Sequence, residues 1–229
     1  RQGYDGKILR QTIDESLARL KTDYIDLYQL HWPVRGSYAF RQNWRYDPSG
    51  QDRARTLDHM ADVLDAIAEA KAAGKIRAFG LSNESAWGTA RWIDTAERLD
   101  GAPRVVTIQN EYSLLYRPYD TDLAELAVNE DVTLLAYSTL AGGLLTGKYL
   151  RGAEPAGSRA AVDRASGGKG DIGGRRTRRA DEAVTAWCKL AAELRLDPIH
   201  AAIAFTRQRP FAVIPIIGAT DMTQLEHIL

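Results

Sequence analysis

The stretch YIDLYQLHWP, residues 24–33, decides the fold. Aromatic and aliphatic residues crowd its first seven positions and Pro33 stops it, the composition of a short buried strand. Immediately before it, residues 8–20 set Ile13, Leu17 and Leu20 on one stripe of a helix. That helix-then-strand pair recurs down the chain. A helical pattern over 56–73, closed by Gly74, leads to KIRAFGLSN (75–83). Residues 85–99 lead to RVVTIQN (104–110), and 120–129 lead to DVTLLAYS (131–138). After a long polar stretch, helical patterns over 181–194 and 198–208 precede FAVIPIIGA (211–219), and Asp221 opens another helix. Strict alternation predicts a parallel sheet wrapped by helices, either doubly wound or a barrel.

The longest insertions, residues 33–55 and 139–180, each follow a strand and so leave the C-terminal edge of the sheet as long loops. Barrel enzymes build their sites at that edge. His31, Ser82 with Asn83, Gln109 with Asn110, and Tyr137 with Ser138 each end an apolar strand. Four consecutive strands delivering hydrogen-bonding side chains to one edge point to a shared ligand, since an unpartnered buried polar group is costly. For Ser82 and Asn83 alone, capping of the following helix is the alternative.

Composition narrows the class. The 229 residues are 45% apolar and carry 30 basic against 30 acidic side chains. That balance removes the electrostatic case for nucleic acid or an anionic membrane. Cys188 is the single cysteine, so no internal disulfide framework exists. No apolar run reaches the roughly 18 residues of a membrane span. RQGYDGKILRQT (1–12) lacks the shape of a signal peptide. A soluble cytoplasmic protein is expected.

LAGGLLTGKY (140–149) spaces Gly142, Gly147 and Lys148 like a nucleotide-triphosphate loop, yet Tyr149 stands where that motif needs a small hydroxyl. The preceding strand also ends five residues before Gly142. Glycine-exposed N–H groups and a lysine still suit a phosphate.

YIDLYQLHWP, KIRAFGLSNES, IQNEYSLLYR, LLAYSTLAGGLLTGKY and PIIGATDMTQLEHI together resemble, in order and spacing, the later two thirds of an aldo-keto reductase, closest to its bacterial Tas-like branch. The resemblance implies one (β/α)8 TIM-barrel domain over residues 1–229, represented by about five strands with the first three missing. It implies NADP(H) held across the C-terminal face and hydride passed to a small aldehyde or ketone, without a metal. By position, His31 matches the active-site histidine that polarises the carbonyl oxygen. Ser82, Asn83 and Gln109 match the carboxamide-binding residues, and Tyr137 the aromatic that stacks on the nicotinamide. Ser138, Leu140, Gly142 and Lys148 match the pyrophosphate segment, with Arg159 a candidate for closing over it. Gly218, Ala219, Thr220 and Gln224 match the turn at the adenosine end. Trp32 and Trp44, with Tyr38, Phe40 and Tyr46, offer aromatic walls for the substrate.

Three departures stand out. Ile228 replaces an asparagine often found four residues after Gln224, which leaves the adenine contacts open. Residues 218–229 contain no Arg or Lys, so NADP over NAD rests on the resemblance alone. The family's catalytic tyrosine, lysine and aspartate would lie before Arg1, and Tyr4 with Lys7 reads as part of the first helix. A piece of a longer chain is therefore expected. The second functional reading is a non-catalytic NADP(H)-binding subunit, resembling potassium-channel β subunits that share the barrel. Homo-oligomerisation stays open.

Other features have plain readings. GGRRTRR (173–179) is expected to be a solvated, mobile loop. Cys188 reads as packing. His59, His200 and His227 show no metal-ligand spacing.

Overall fold

The computed structural model describes residues 3–229; Arg1 and Gln2, which open the polar N-terminal stretch, lie outside the described residues. Four helix-and-strand repeats follow one another: α1 (Gly6–Leu20), β1 (Ile25–Leu30), α2 (Arg53–Ala72), β2 (Ile76–Ser82), α3 (Ala86–Arg98), β3 (Val105–Glu111), α4 (Asp122–Glu130) and β4 (Thr133–Tyr137). Then come α5 (Arg159–Ala165), α6 (Arg178–Glu193), α7 (Pro198–Arg207), β5 (Val213–Pro215) and α8 (Met222–Ile228).

The five strands form one parallel sheet in the order β1-β2-β3-β4-β5. A doubly wound sheet reverses its strand order at a switch point, whereas a barrel adds each strand beside the last. The unbroken order settles the choice left by alternation. This is a partial (β/α)8 arrangement. In register, Ile25 lies beside Ile76, Leu30 beside Leu81, and Ser82 beside Gln109. The outermost strand β1 is mostly half-exposed, while its neighbour β2 is buried along most of its length.

The chain divides into two compact units. The first comprises residues up to Gln109 together with Asp122–Leu134. Its core joins Leu9 and Ile13 of α1, Val63 and Ile67 of α2, Phe79 of β2, and Trp92 and Ile93 of α3, all at most 3% exposed. Phe79 and Trp92 meet edge to face at 5.9 Å, a geometry that adds to simple area burial. The second unit comprises residues 110–121 and Leu135–Leu229.

Segment 139–180, read as a long loop, belongs to that second unit and carries short helical stretches. It contains 3₁₀ turns at Ala141–Thr146 and Leu150–Gly152 as well as α5. Ala141, Leu144, Leu145, Tyr149, Ala160 and Ile172 are buried together with Val184 of α6 and Ala202 of α7. Apolar burial on that scale explains why the segment holds its shape. No helix among the described residues is long and apolar enough to cross a membrane.

Candidate active site

In the first unit, backbone and side chains knot three strand ends together. Asn83 takes the left-handed conformation (φ 57°), which asparagine tolerates better than most residues. Its backbone N–H donates to the Gln109 carbonyl (3.0 Å), as does the Ser82 hydroxyl (2.7 Å). The Asn83 side-chain N–H₂ donates to the His31 carbonyl (2.9 Å) and to Ser82 Oγ (3.0 Å). His31, Ser82, Asn83 and Gln109 are thus brought together. The next helix is capped by neither Ser82 nor Asn83: Ser85 accepts from the Gly88 N–H at 3.1 Å. His31 is exposed just beyond β1.

Beneath this edge lies an ion pair that the sequence does not announce. Glu84, with 2% of its side chain exposed, receives both terminal nitrogens of Arg35, whose side chain is 10% exposed. The Ser85 N–H also donates to Glu84 (2.7 Å). Gly88 lets α3 approach this pair: a Cβ there would come within 2.1 Å of Arg35 Nη2 and of Glu84 Oε1.

The aromatic loop is mixed. Trp32 stacks on Phe40 at 4.9 Å and Tyr38 meets Tyr46 at 6.2 Å. Trp44, expected in a pocket wall, is 91% exposed. A cavity of about 360 Å³ opens elsewhere in this unit, between Tyr4, Pro33, Arg35, Thr56, His59 and Trp92. Tyr4 lies before α1 rather than in it, since Asp5 is the helix cap. Burial, and then the nearby Glu84 carboxylate, push its phenol above the usual tyrosine range.

In the second unit, Tyr137 is half-buried and its carbonyl accepts from the Tyr112 N–H (3.1 Å). Ser138, Ala141, Gly142, Gly143 and Gly147 all have positive φ, so residues 138–148 turn tightly on themselves. Leu140 supplies the carbonyl that accepts from the N–H groups of Gly143 and Leu145. Gly142 is required twice, by φ 69° and because a Cβ would reach Ile172 at 2.7 Å. The segment is a 3₁₀ coil on an apolar layer, unlike a triphosphate loop opening a helix. Lys148 is half-buried, with its amine 5.3 Å from the Tyr149 ring centre and no carboxylate partner among the described residues. A cation without a counter-ion beside a left-handed coil fits a phosphate group. Cys188 sits under Gly147, and burial pushes its thiol up, as expected of a packing residue.

Elsewhere in this unit, Gly218, Ala219 and Thr220 are exposed. Gln224 Oε1 accepts from the Thr220 N–H (3.3 Å) and hydroxyl (3.2 Å), closing the turn onto the start of α8. Arg159 is exposed at the first position of α5.

Two expectations are corrected. GGRRTRR leaves Gly173, Gly174, Thr177, Arg178 and Arg179 exposed, as expected, but it is anchored at its centre. Arg175 makes a two-pronged pair with Glu111 (3.0 and 2.9 Å), Arg176 pairs with Glu154 (3.0 Å), and Thr177 caps α6. The histidines also do not all stand apart: His200 and His227 gather beside Asp197.

The sequence model of the aldo/keto reductase family matches residues 1–229. The chain belongs to that family. Within it, the chain is 44% identical over 229 residues to the Protein tas of Escherichia coli (strain K12), covering 98% of this chain and 62% of that protein. It is 35% identical over 228 residues to an aldo-keto reductase of Babesia bovis, covering 95% of this chain and 77% of that one. It is 32% identical over 152 residues to the NADH-specific methylglyoxal reductase of Escherichia coli, covering 66% of this chain and 39% of that enzyme. This aldo/keto reductase chain therefore spans about three-fifths of the length of its Tas relative. Two of these relatives are reductases by name.

Proposed function

We propose that this aldo/keto reductase chain carries the cofactor-holding part of an NADP(H)-dependent enzyme that reduces aldehydes or ketones to alcohols. One observation carries the reading: His31, Ser82 with Asn83, and Tyr137 stand at the ends of β1, β2 and β4, and Gln109 lies two residues before the end of β3, on four consecutive strands of a one-way parallel sheet. In the proposed roles, Gln109 and the Ser82–Asn83 pair hold the carboxamide, Tyr137 stacks on the nicotinamide, and Lys148 with the coil from Ser138 to Gly147 meets the pyrophosphate. Residues 218–220 and Gln224 take the adenosine end. The bound cofactor supplies hydride. His31 polarises the carbonyl oxygen by donating a hydrogen bond. The exposure of His31 suits a group that must reach a substrate from solvent.

The names of the relatives support catalysis over a purely regulatory role, since two of them are reductases by name. The NADH-specific relative makes the phosphate preference a question for measurement. NADPH and NADH fluorescence titrations of the full-length protein test the proposal. Tyr137→Ala should weaken NADPH binding by about 1–3 kcal/mol, the scale of base–aromatic stacking. Lys148→Ala should weaken it through charge, with a loss that shrinks as salt rises. The two losses should add, because ring and pyrophosphate are well separated in an extended dinucleotide. Unchanged binding in both variants at low salt would overturn the assignment.

A further inference from the structure

Among the described residues, one group of three side chains has the makings of a cation site, and it lies wholly within the second unit: Asp197, His200 and His227. One donor atom from each lies within 4.8 Å of the others. Ligands bound at about 2.0–2.2 Å around one tetrahedral ion sit roughly 3–4 Å apart, so only small side-chain movements are needed.

The surroundings orient the donors. Asp197 caps α7, and its Oδ1 accepts from the N–H groups of Ile199 (2.7 Å) and His200 (3.0 Å). That leaves Oδ2 turned to His227 Nε2 at 2.8 Å.

His200 is fixed in a different way. Its Nε2 lies on the backbone carbonyl of His227. A carbonyl can only accept, so Nε2 carries the proton and Nδ1 keeps its lone pair. A ring nitrogen donating to a carbonyl while the other faces the ion is the usual support of a metal-bound histidine. The two rings stand at 76° with centroids 5.6 Å apart, edge to face rather than stacked.

We propose that Asp197, His200 and His227 bind one divalent transition-metal ion of the zinc type. Two imidazoles and one carboxylate are the donor set such ions take, with a fourth position left to water. On binding, the ion replaces the hydrogen bond between His227 and Asp197. The His227 proton shifts to Nδ1, and Nε2 donates its lone pair to the metal. The site clasps the start of α7 to α8, one helical turn beyond Gln224, and so steadies the turn at residues 218–224. It stands apart from the nucleotide assignment, because metal uptake is read without nucleotide.

The test uses the full-length protein without a histidine tag, titrated with Zn²⁺ alone by calorimetry. One equivalent should bind. His200→Gln and His227→Gln should each weaken binding by about tenfold or more, the scale set by disturbing metal surroundings. Asp197→Asn keeps a good helix cap and should weaken it as well. His59→Gln, in the other unit, should leave it unchanged. Added Zn²⁺ should raise the melting temperature of the parent and not of His200→Gln, since a ligand bound only by the folded state stabilises it. His200 is exposed, so its variant should fold as the parent does; circular dichroism without metal checks this. Absence of saturable uptake, or uptake equal in the parent and in His200→Gln, would overturn the proposal.

Discussion

Each unit anchors one long post-strand segment by the same device and to a different depth. In the first unit Arg35, from the segment after β1, pairs with Glu84 just beyond β2. In the second, Arg175, from the segment after β4, pairs with Glu111 at the end of β3. Both glutamates show 2% side-chain exposure. Beyond the anchor the two segments diverge. Residues 33–55 leave Trp44 in solvent, whereas 139–180 fold over a buried layer around Leu144, Tyr149 and Ile172. The first segment is held by its ion pair, by the Ser37 hydroxyl donating to the Asn83 carbonyl (2.7 Å) and by the Trp32–Phe40 stack; the second rests in addition on a buried apolar layer. A buried pair costs desolvation and adds little net stability by itself, but losing one partner strands the other's charge.

The largest expected effect separates the two anchors. Glu84→Ala should destabilise the protein by about 3–5 kcal/mol by leaving Arg35 unpaired. Glu111→Ala should cost less, because the Arg175 side chain lies somewhat nearer water than that of Arg35. Urea unfolding of both variants measures the gap. Equal losses would overturn this ordering.

Next in size comes Tyr112, one residue beyond Glu111. Its phenol donates to Asp120 Oδ1 (2.6 Å), and burial, followed by that carboxylate, holds its pKa above the usual tyrosine value. Tyr112→Phe should cost about 1.5–3 kcal/mol near neutral pH, the scale of a hydrogen bond to a charged group. The folded-state pKa is raised. The stabilisation is therefore whole below the unfolded value of about 10 and fades as pH climbs past it. Stability of the parent should fall more steeply than that of Tyr112→Phe above that pH. Parallel alkaline limbs in the two proteins would contradict this.

The smallest effects sharpen the parallel. Ser85 follows Glu84 and caps α3; Thr177 follows the Arg175–Arg176 pair and caps α6. Alanine at either position should cost about 1 kcal/mol. If anchor and cap form one cooperative unit, Ser85→Ala combined with Glu84→Ala should lose less than the sum of the two.

How much of this was legible follows from spacing. The helices and strands up to β4 carry regular periods, and the polar residues at strand ends show wherever such a period stops. The 139–180 segment hides its order because Ala141, Leu144, Leu145, Tyr149, Ala160 and Ile172 recur at no fixed interval and sit among positive-φ glycines. The ion pairs join residues 49 and 64 positions apart, and His200 lies 27 positions from His227. No local pattern couples such pairs; only the fold brings them together. For the same reason, Ser82 and Asn83 could be placed at a strand end, while their hydrogen bonds to the carbonyls of Gln109 and His31 could not be foreseen.

Three successive residues, Arg175, Arg176 and Thr177, each have a separate appointment: Glu111, Glu154 and the first turn of α6. Their spacing is thus as constrained as that of a codon frame. A residue inserted between 174 and 178 would shift at least one of the three off its mark. This glycine- and arginine-rich stretch, which looks like a spacer, is therefore a poor place to graft a tag or alter length, whereas the tip near Trp44 is the more permissive choice.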